Sequence, residues 1–191
     1  TDAITLIPYY GFHSLNGLIE DALSQGHGVF IASLTSNPEA ANLQTSIRQR
    51  GEYEGRTVAY GIARGAQNYN DGYPGMGSVG LVIGATIGHQ MDLNGMNPAE
   101  FTGPILSPGY GWQGAKGKDL EVVFAGTYHN VLVTAARAIA AYGPDISSLR
   151  KKIDEYKTDI QQSFDDMDRR MANGETAEQI AHGIQEEQDA D

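Results

Sequence analysis

Five short apolar runs, each followed by a polar or glycine-rich segment, divide the first three quarters of the chain. The runs are apolar at successive positions, so both faces of each predicted strand are expected to be covered, as in a parallel sheet. Turn-forming residues such as Pro8, Gly84 and Pro108 indicate where the chain leaves the sheet for a loop. The predicted strands cover residues 3–7, 28–34, 78–86, 104–106 and 129–134.

Segments with apolar residues at helical spacing lie between and after these runs. A strand, a loop and a helix repeated five times predict parallel βα units, which build either an open doubly wound sheet or a (β/α)8 barrel. No Gly-x-Gly-x-x-Gly opens the first helix, and polar residues follow the strands as on the active face of a barrel, so the barrel is favoured. Residues 119–124 fit either a short helix or an extended connector. The predicted helices cover residues 15–23, 39–50, 56–67, 135–142 and 146–171.

The loop after the fourth predicted strand is the most distinctive segment of the sequence. Three glycines, at positions 109, 111 and 114, surround Trp112 and Gln113. Glycine lets the backbone approach a ligand closely and turn its N–H groups towards an anion, and the Gln113 amide both donates and accepts hydrogen bonds. Taken alone, the loop is equally compatible with an ordinary glycine-rich turn.

Composition excludes several classes of function. The net charge is −11 and no segment offers a basic face, so nucleic acid is not an expected partner. The 191 residues contain no cysteine and no run of about 18 apolar residues, which predicts a cytoplasmic protein without disulfides or a membrane span. The five histidines are scattered without ligand-like spacing, so no metal site is expected.

Five sequence blocks occur in order with consistent spacing. They are Asp-Ala-Ile-Thr-Leu-Ile-Pro-Tyr-Tyr-Gly at 2–11, Gly-Val-Phe-Ile followed by Thr-Ser-Asn-Pro within 28–38, Gly-Leu-Val-Ile-Gly-Ala-Thr at 80–86, Pro-Gly-Tyr-Gly-Trp-Gln-Gly at 108–114, and Ala-Arg at 136–137. Together they resemble the orotidine 5'-phosphate decarboxylase family, in particular its longer bacterial subfamily, over residues 1 to about 142. The resemblance implies a (β/α)8 TIM barrel that forms a homodimer and needs no cofactor. It also implies conversion of orotidine monophosphate to uridine monophosphate and CO2, the last step of de novo pyrimidine synthesis.

The resemblance gives substrate-binding roles to particular positions. Ser36 would hydrogen-bond the pyrimidine ring, Gln113 would bridge pyrimidine and phosphate from a mobile loop, and Arg137 would pair with the phosphate. A planar guanidinium suits that task because it donates to an oxyanion in bidentate fashion. Two positions depart from the family pattern: Ala136 stands where serine or glycine is usual, and Trp112 is bulkier than expected beside the glutamine. The candidate substrate-binding residues are Ser36, Pro108 and Gly109 as pocket wall, Gln113, and Ala136 and Arg137 with their backbone N–H groups.

The catalytic part of the family pattern has no counterpart in the 191 residues. The resemblance implies a lysine on strand two and an Asp-x-Lys-x-x-Asp motif on strand three, whose last aspartate reaches the partner's site. The nearest match, Asp-Glu-Tyr-Lys-Thr-Asp at 154–159, has a different spacing and lies in a charged helical segment, so a solvated face with intrahelical ion pairs is favoured. Residues 1–172 are therefore expected to be the C-terminal part of one TIM-barrel domain, followed by an acidic polar tail at 173–191. The chain alone is predicted to be inactive, with a missing N-terminal segment of the same protein as a partner.

Two other functions fit parts of the pattern. A non-catalytic phosphate- or nucleotide-binding half-barrel would need no lysine–aspartate motif. Another phosphate-handling barrel enzyme, such as an aldolase or an isomerase, is disfavoured because no strand-borne lysine or glutamate lies at any of the five strand ends. A decarboxylation assay separates the decarboxylase from both alternatives.

Overall fold

The sheet consists of five parallel strands that pair in the order in which they occur in the chain. The computed structural model describes residues 1–125 and 128–189. A doubly wound sheet reverses its strand order at a switch point, whereas the strands of a (β/α)8 barrel follow one another around the axis. The order seen here is therefore that of a barrel arc. The strands are β1 (Ala3–Leu6), β2 (Gly28–Leu34), β3 (Val79–Ile83), β4 (Ile105–Pro108) and β5 (Val131–Thr134).

Helices occupy the crossovers between strands and continue after the last strand. The α-helices are α1 (Asn16–Ser24), α2 (Ala41–Gln44), α3 (Val58–Asn70), α4 (Gln90–Leu93), α5 (Gly117–Phe124), α6 (Ala136–Ala140), α7 (Ile146–Ala172) and α8 (Ala177–Asp189). Short 3-10 turns lie at Phe12–Leu15, Pro38–Ala40, Pro98–Glu100 and Tyr128–Asn130. The longest helix, α7, begins at an N-cap: the Asp145 carboxylate accepts a hydrogen bond from Ser148 N at 2.7 Å. No helix in the described ranges combines the length and the apolar character needed to cross a membrane.

The core lies between the sheet and the helices that cover it. Every residue of β3 is buried, as expected for the central strand of a covered parallel sheet. On β2, the Ser33 hydroxyl donates to Ala59 O of α3 at 3.1 Å and fixes that helix against the strand. On the opposite face, the Phe30 ring packs against Gly80, where an added Cβ would lie 2.7 Å from the ring. The glycine thus makes room for the aromatic side chain inside the arc.

The two outer strands show that the arc is open. Among the described residues, β1 pairs only with β2, and β5 pairs only with β4. Ile4 on β1 is 48% exposed and Leu132 on β5 is 52% exposed. A closed barrel has no strand edges, because its first and last strands pair with each other. The described sheet is therefore part of the predicted barrel, with about five of its βα units.

The prediction of a single helix over residues 39–50 is wrong. After the four residues of α2 the chain becomes irregular, and Ile47 pairs with Thr57 in an isolated antiparallel bridge. Gly51 and Gly55 adopt φ values of 81° and 78°, which turn the chain back on itself. The apolar spacing of this segment favoured a helix, but the glycine turns and the bridge take its place.

Helix α8 occupies most of the segment that was expected to be a polar tail. Its Ile180, Ala181 and Ile184 side chains are between 0% and 2% exposed and belong to the core. The helix packs on α5 and α7. Residues 119–124, for which the sequence allowed a short helix or an extended connector, belong to helix α5. The domain boundary at residue 172 stays a prediction, and Ala177–Asp189 beyond it form a helix.

Candidate functional site

The candidate site lies along the edge of the sheet where the strands end. Parallel strands bring their carboxyl ends to the same edge, so Ser36 after β2, the loop after β4 and Arg137 after β5 all emerge there. The edge is held together by backbone as well as side chains. Ala85 N, just beyond β3, donates to Pro108 O at 2.8 Å.

Gln113 joins the loop after β4 to the loop after β2. The Ser36 hydroxyl donates to Gln113 Oε1 at 3.2 Å, across 77 positions of sequence. This bond occupies the amide oxygen and leaves the Gln113 NH2 group as a donor for a ligand. Gly109 has a φ of 115°, and an added Cβ there would lie 2.8 Å from Gln113 Oε1. A side chain at position 109 would therefore displace the glutamine.

Trp112, the residue before Gln113, reaches the other end of the site. The Arg137 Cζ lies 5.5 Å from the Trp112 ring centroid, within the range of a cation–π contact. Both residues are exposed, and the structure pairs Arg137 with no carboxylate in the described ranges. The loop after β4 thus contacts the chain after β2 through one residue and the chain after β5 through the next.

Ala136 and Arg137 are the first two residues of α6. The N–H groups of a first helical turn have no acceptor within the helix, so they are available to a ligand or to water. The methyl group of Ala136 adds no hydrogen bond. Any contribution of Ala136 to anion binding must therefore come from its backbone, as the sequence predicted.

The base of the glycine-rich loop is fixed by an aspartate that the sequence did not identify. Asp159 Oδ2, on α7, accepts hydrogen bonds from the Tyr110 hydroxyl and, at 2.8 Å, from Gly117 N. Tyr110 and Gly117 bracket the loop, so one carboxylate oxygen holds both of its ends. The sequence offered one signal: Asp159 follows Tyr156 by three positions and precedes Ile160, both of which lie on the apolar stripe of α7.

Packing around Tyr110 reinforces this anchor. The Tyr110 side chain is 3% exposed, and its ring contacts that of Tyr156 edge-on at 5.1 Å between centroids. Burial, followed by the hydrogen bond to Asp159, raises the pKa of Tyr110 far above its usual range, so the hydroxyl stays protonated and donates. Gly111 lies against Ala138 of α6, where an added Cβ would be 2.9 Å from the alanine side chain. The loop therefore has a rigid base below its exposed tip.

The structure brings together most of the residues predicted for the site. Gln113 is hydrogen-bonded to Ser36 and lies against Gly109, and Arg137 contacts the same loop through Trp112. Their roles towards a substrate stay predictions. Within residues 1–125 and 128–189, no group of three or more histidines, aspartates or glutamates is placed to hold a metal ion.

Comparison with known proteins bears on this arrangement. The family model described as Orotidine 5'-phosphate decarboxylase / HUMPS family matches residues 1–151. The orotidine 5'-phosphate decarboxylase of Salinispora tropica is 42% identical over 158 residues, which cover 83% of this chain and 54% of the relative. That of Streptomyces coelicolor is 37% identical over 160 residues, or 84% of this chain and 55% of the relative.

Solved structures give the same result. A crystal structure from Streptomyces avermitilis, of a protein assigned as orotidine 5'-phosphate decarboxylase, has a TM-score of 0.75 and 37% identity. The match covers 85% of this chain and 54% of that protein. The UMP synthase of Leishmania donovani matches 82% of the chain at 25% identity with a TM-score of 0.59. The predicted family and the TIM-barrel fold are thereby confirmed, and the chain spans about half the length of the curated relatives it matches.

Proposed function

The chain belongs to the orotidine 5'-phosphate decarboxylase / HUMPS family, and we propose that it supplies the phosphate- and pyrimidine-binding part of a barrel that decarboxylates orotidine monophosphate. One observation carries the proposal beyond family membership. Adjacent residues of a single loop, Trp112 and Gln113, contact Arg137 on one side and Ser36 on the other. A nucleotide lying along this edge would meet a cationic group at its phosphate end and polar side chains at its base.

Each candidate residue has a part in this binding mode. Arg137 donates to the phosphate oxygens in bidentate fashion, helped by the backbone N–H groups at the start of α6. Gln113 donates its NH2 group to the ligand while its oxygen stays with Ser36. Ser36 faces the pyrimidine, and Pro108 and Gly109 form the wall between the two ends. Most of the binding free energy comes from the phosphate, since charge-assisted hydrogen bonds are the strongest of these contacts.

The chemical step needs the lysine–aspartate motif of the family, and the 191 residues do not contain an Asp-x-Lys-x-x-Asp sequence. Loss of CO2 leaves an electron pair on the pyrimidine carbon, which must be stabilised and then protonated. We propose that the family's lysine and its Asp-x-Lys-x-x-Asp motif lie on the strands that complete the eight-stranded barrel, with the last aspartate contributed across a cytoplasmic homodimer. By itself the chain binds the nucleotide but does not decarboxylate it. The alternative of a non-catalytic nucleotide-binding half-barrel therefore describes only the isolated 191 residues and not the complete barrel.

The first test is decarboxylation of orotidine monophosphate by the complete barrel, followed through the loss of substrate absorbance. Turnover supports the proposal, and no turnover in a folded complete barrel contradicts it. A parallel assay of the isolated 191 residues is expected to show none.

Arg137→Ala in the complete barrel tests the phosphate assignment. Removing a bidentate charge-assisted contact is expected to weaken uridine monophosphate binding by about 2 to 4 kcal/mol, or roughly 30- to 1,000-fold. Uridine, which has no phosphate, should bind the variant and the parent equally by calorimetry. Arg150→Ala, which removes an exposed arginine of α7, is the matched control and should leave both affinities unchanged. Normal monophosphate binding by Arg137→Ala would refute the assignment.

A further inference from the structure

The aromatic ring of Trp112 lies next to Arg137, the cationic residue that the proposed function places at the phosphate. Its ring centroid lies 5.5 Å from Arg137 Cζ, and the indole is 57% exposed. The exposed indole is not part of the core, so core packing does not account for its position. The same loop carries glycine on both sides of the Trp112–Gln113 pair, at positions 111 and 114. These two side chains are therefore the means by which the loop tip contacts the rest of the site.

A cation–π contact and anion binding use a guanidinium in different ways. The aromatic ring attracts its positive charge, whereas the N–H donors form the hydrogen bonds to an oxyanion. The contact with Trp112 therefore leaves the Arg137 donors for two parallel hydrogen bonds to a phosphate. The aromatic contact also restricts a long side chain that has no carboxylate partner in the described ranges. Less rotamer freedom is then lost when the phosphate binds.

The tip residues also connect the two halves of the ligand site. Trp112 N donates to Tyr110 O at 2.9 Å, and Gly114 N donates to Gly111 O at 3.1 Å, so the tip is a compact turn. Gln113 on this turn is bonded to Ser36 at 3.2 Å. Trp112 and Gln113 therefore connect the loop tip to Arg137 on one side and to Ser36 on the other.

We propose that Trp112 is a positioning residue that orients the Arg137 guanidinium for the substrate phosphate. The proposal rests on the proposed function, because it requires Arg137 to bind the phosphate. Trp112 touches the arginine and acts through it. Its contribution is therefore confined to phosphate-bearing ligands.

The test replaces the ring in the complete barrel and compares two ligands. Trp112→Leu keeps an apolar side chain without an aromatic face, and it should raise the dissociation constant of uridine monophosphate about two- to fivefold, as for an exposed cation–π contact. Trp112→Phe keeps an aromatic face and should recover most of the affinity. Uridine should bind all three proteins equally. In an Arg137→Ala background, Trp112→Leu should have no further effect on monophosphate binding.

Each other outcome is decisive. Equal losses for uridine and its monophosphate, or a loss that persists in the Arg137→Ala background, would show a general role in loop structure and overturn the proposal. Unchanged monophosphate affinity in Trp112→Leu would overturn it as well. If Arg137→Ala itself leaves monophosphate binding intact, the phosphate assignment fails and the positioning role fails with it. If Arg137→Ala loses affinity while Trp112→Leu does not, only the positioning role fails.

Discussion

Removing the Asp159 carboxylate should destabilise the barrel far more than its place on a charged helix suggests. Its Oδ2 atom accepts from the Tyr110 hydroxyl and from Gly117 N at 2.8 Å. A hydrogen bond to a charged group contributes about 1.5 to 3 kcal/mol, and Asp159 is only partly buried, so the lower end applies to each bond. Asp159→Ala should therefore lower the free energy of unfolding by about 3 kcal/mol.

Two further variants divide this effect between the bonds. Tyr110→Phe removes only the hydroxyl and leaves the bond from Gly117 N, so a loss of about 1 to 2 kcal/mol is expected. The double variant should lose less than the sum of the two single losses, because both delete the same tyrosine–carboxylate bond. Asp154→Ala, at an exposed position of the same helix, is the control and should change stability by no more than about 0.5 kcal/mol.

Urea unfolding of the complete barrel, followed by near-ultraviolet circular dichroism, measures these differences. The midpoint should fall for Asp159→Ala without a change in slope, since the same surface is exposed on unfolding. If Asp159→Ala were as stable as Asp154→Ala, the carboxylate would be a solvated one and the anchor at the base of the loop would be refuted.

Two further predictions concern the core. Gly80→Ala would place a Cβ 2.4 Å from Pro104 O and 2.7 Å from the Phe30 ring, so a loss of about 1 to 3 kcal/mol is expected by thermal unfolding. Gly17→Ala, where a Cβ in α1 meets open space, should instead gain up to about 1 kcal/mol, and equal effects at the two glycines would contradict the packing. Glu121 is 4% exposed, and burial raises its pKa against the opposing influence of Ser163, Lys118 and Arg170. The folded state then binds its proton more tightly than the unfolded state, so stability falls as pH rises from the usual pKa through the raised one. Glu121→Gln should therefore be more stable than the parent at pH 7 and should show less of this fall in urea unfolding between about pH 4 and 8; identical curves would contradict it.

The parallel strands and the site edge could be predicted from the sequence because both follow from local patterns. Apolar runs identify parallel strands, and parallel strands bring their ends to one edge. The proximity of Ser36 to Gln113 follows from that geometry, although 77 positions separate the two residues. The Trp112–Arg137 contact does not follow, because it depends on side-chain directions at the tip of a loop.

The differences between the expected and observed elements share a physical cause, which is that tertiary contacts decide the structure of weakly patterned segments. Residues 39–50 have helical spacing, yet the turns at Gly51 and Gly55 and the bridge at Ile47 prevail. Helix α8 has mostly polar residues, yet its Ile180 and Ile184 side chains are buried in the core. Neither outcome can be derived from the segment alone, since the packing partner of α8 includes α5, more than fifty positions earlier.

Asp159 shows how the same limit applies to the site. The charged helical run that contains it predicts a solvated carboxylate, and its neighbours Asp154 and Lys157 are indeed exposed. Its two donors lie 42 and 49 positions away, at the two ends of the glycine-rich loop. A carboxylate that holds both ends of a loop fixes the base of that loop next to the end of β4. The loop that we propose contacts the phosphate is thus supported by α7, a helix that itself contributes no residue to the proposed substrate contacts.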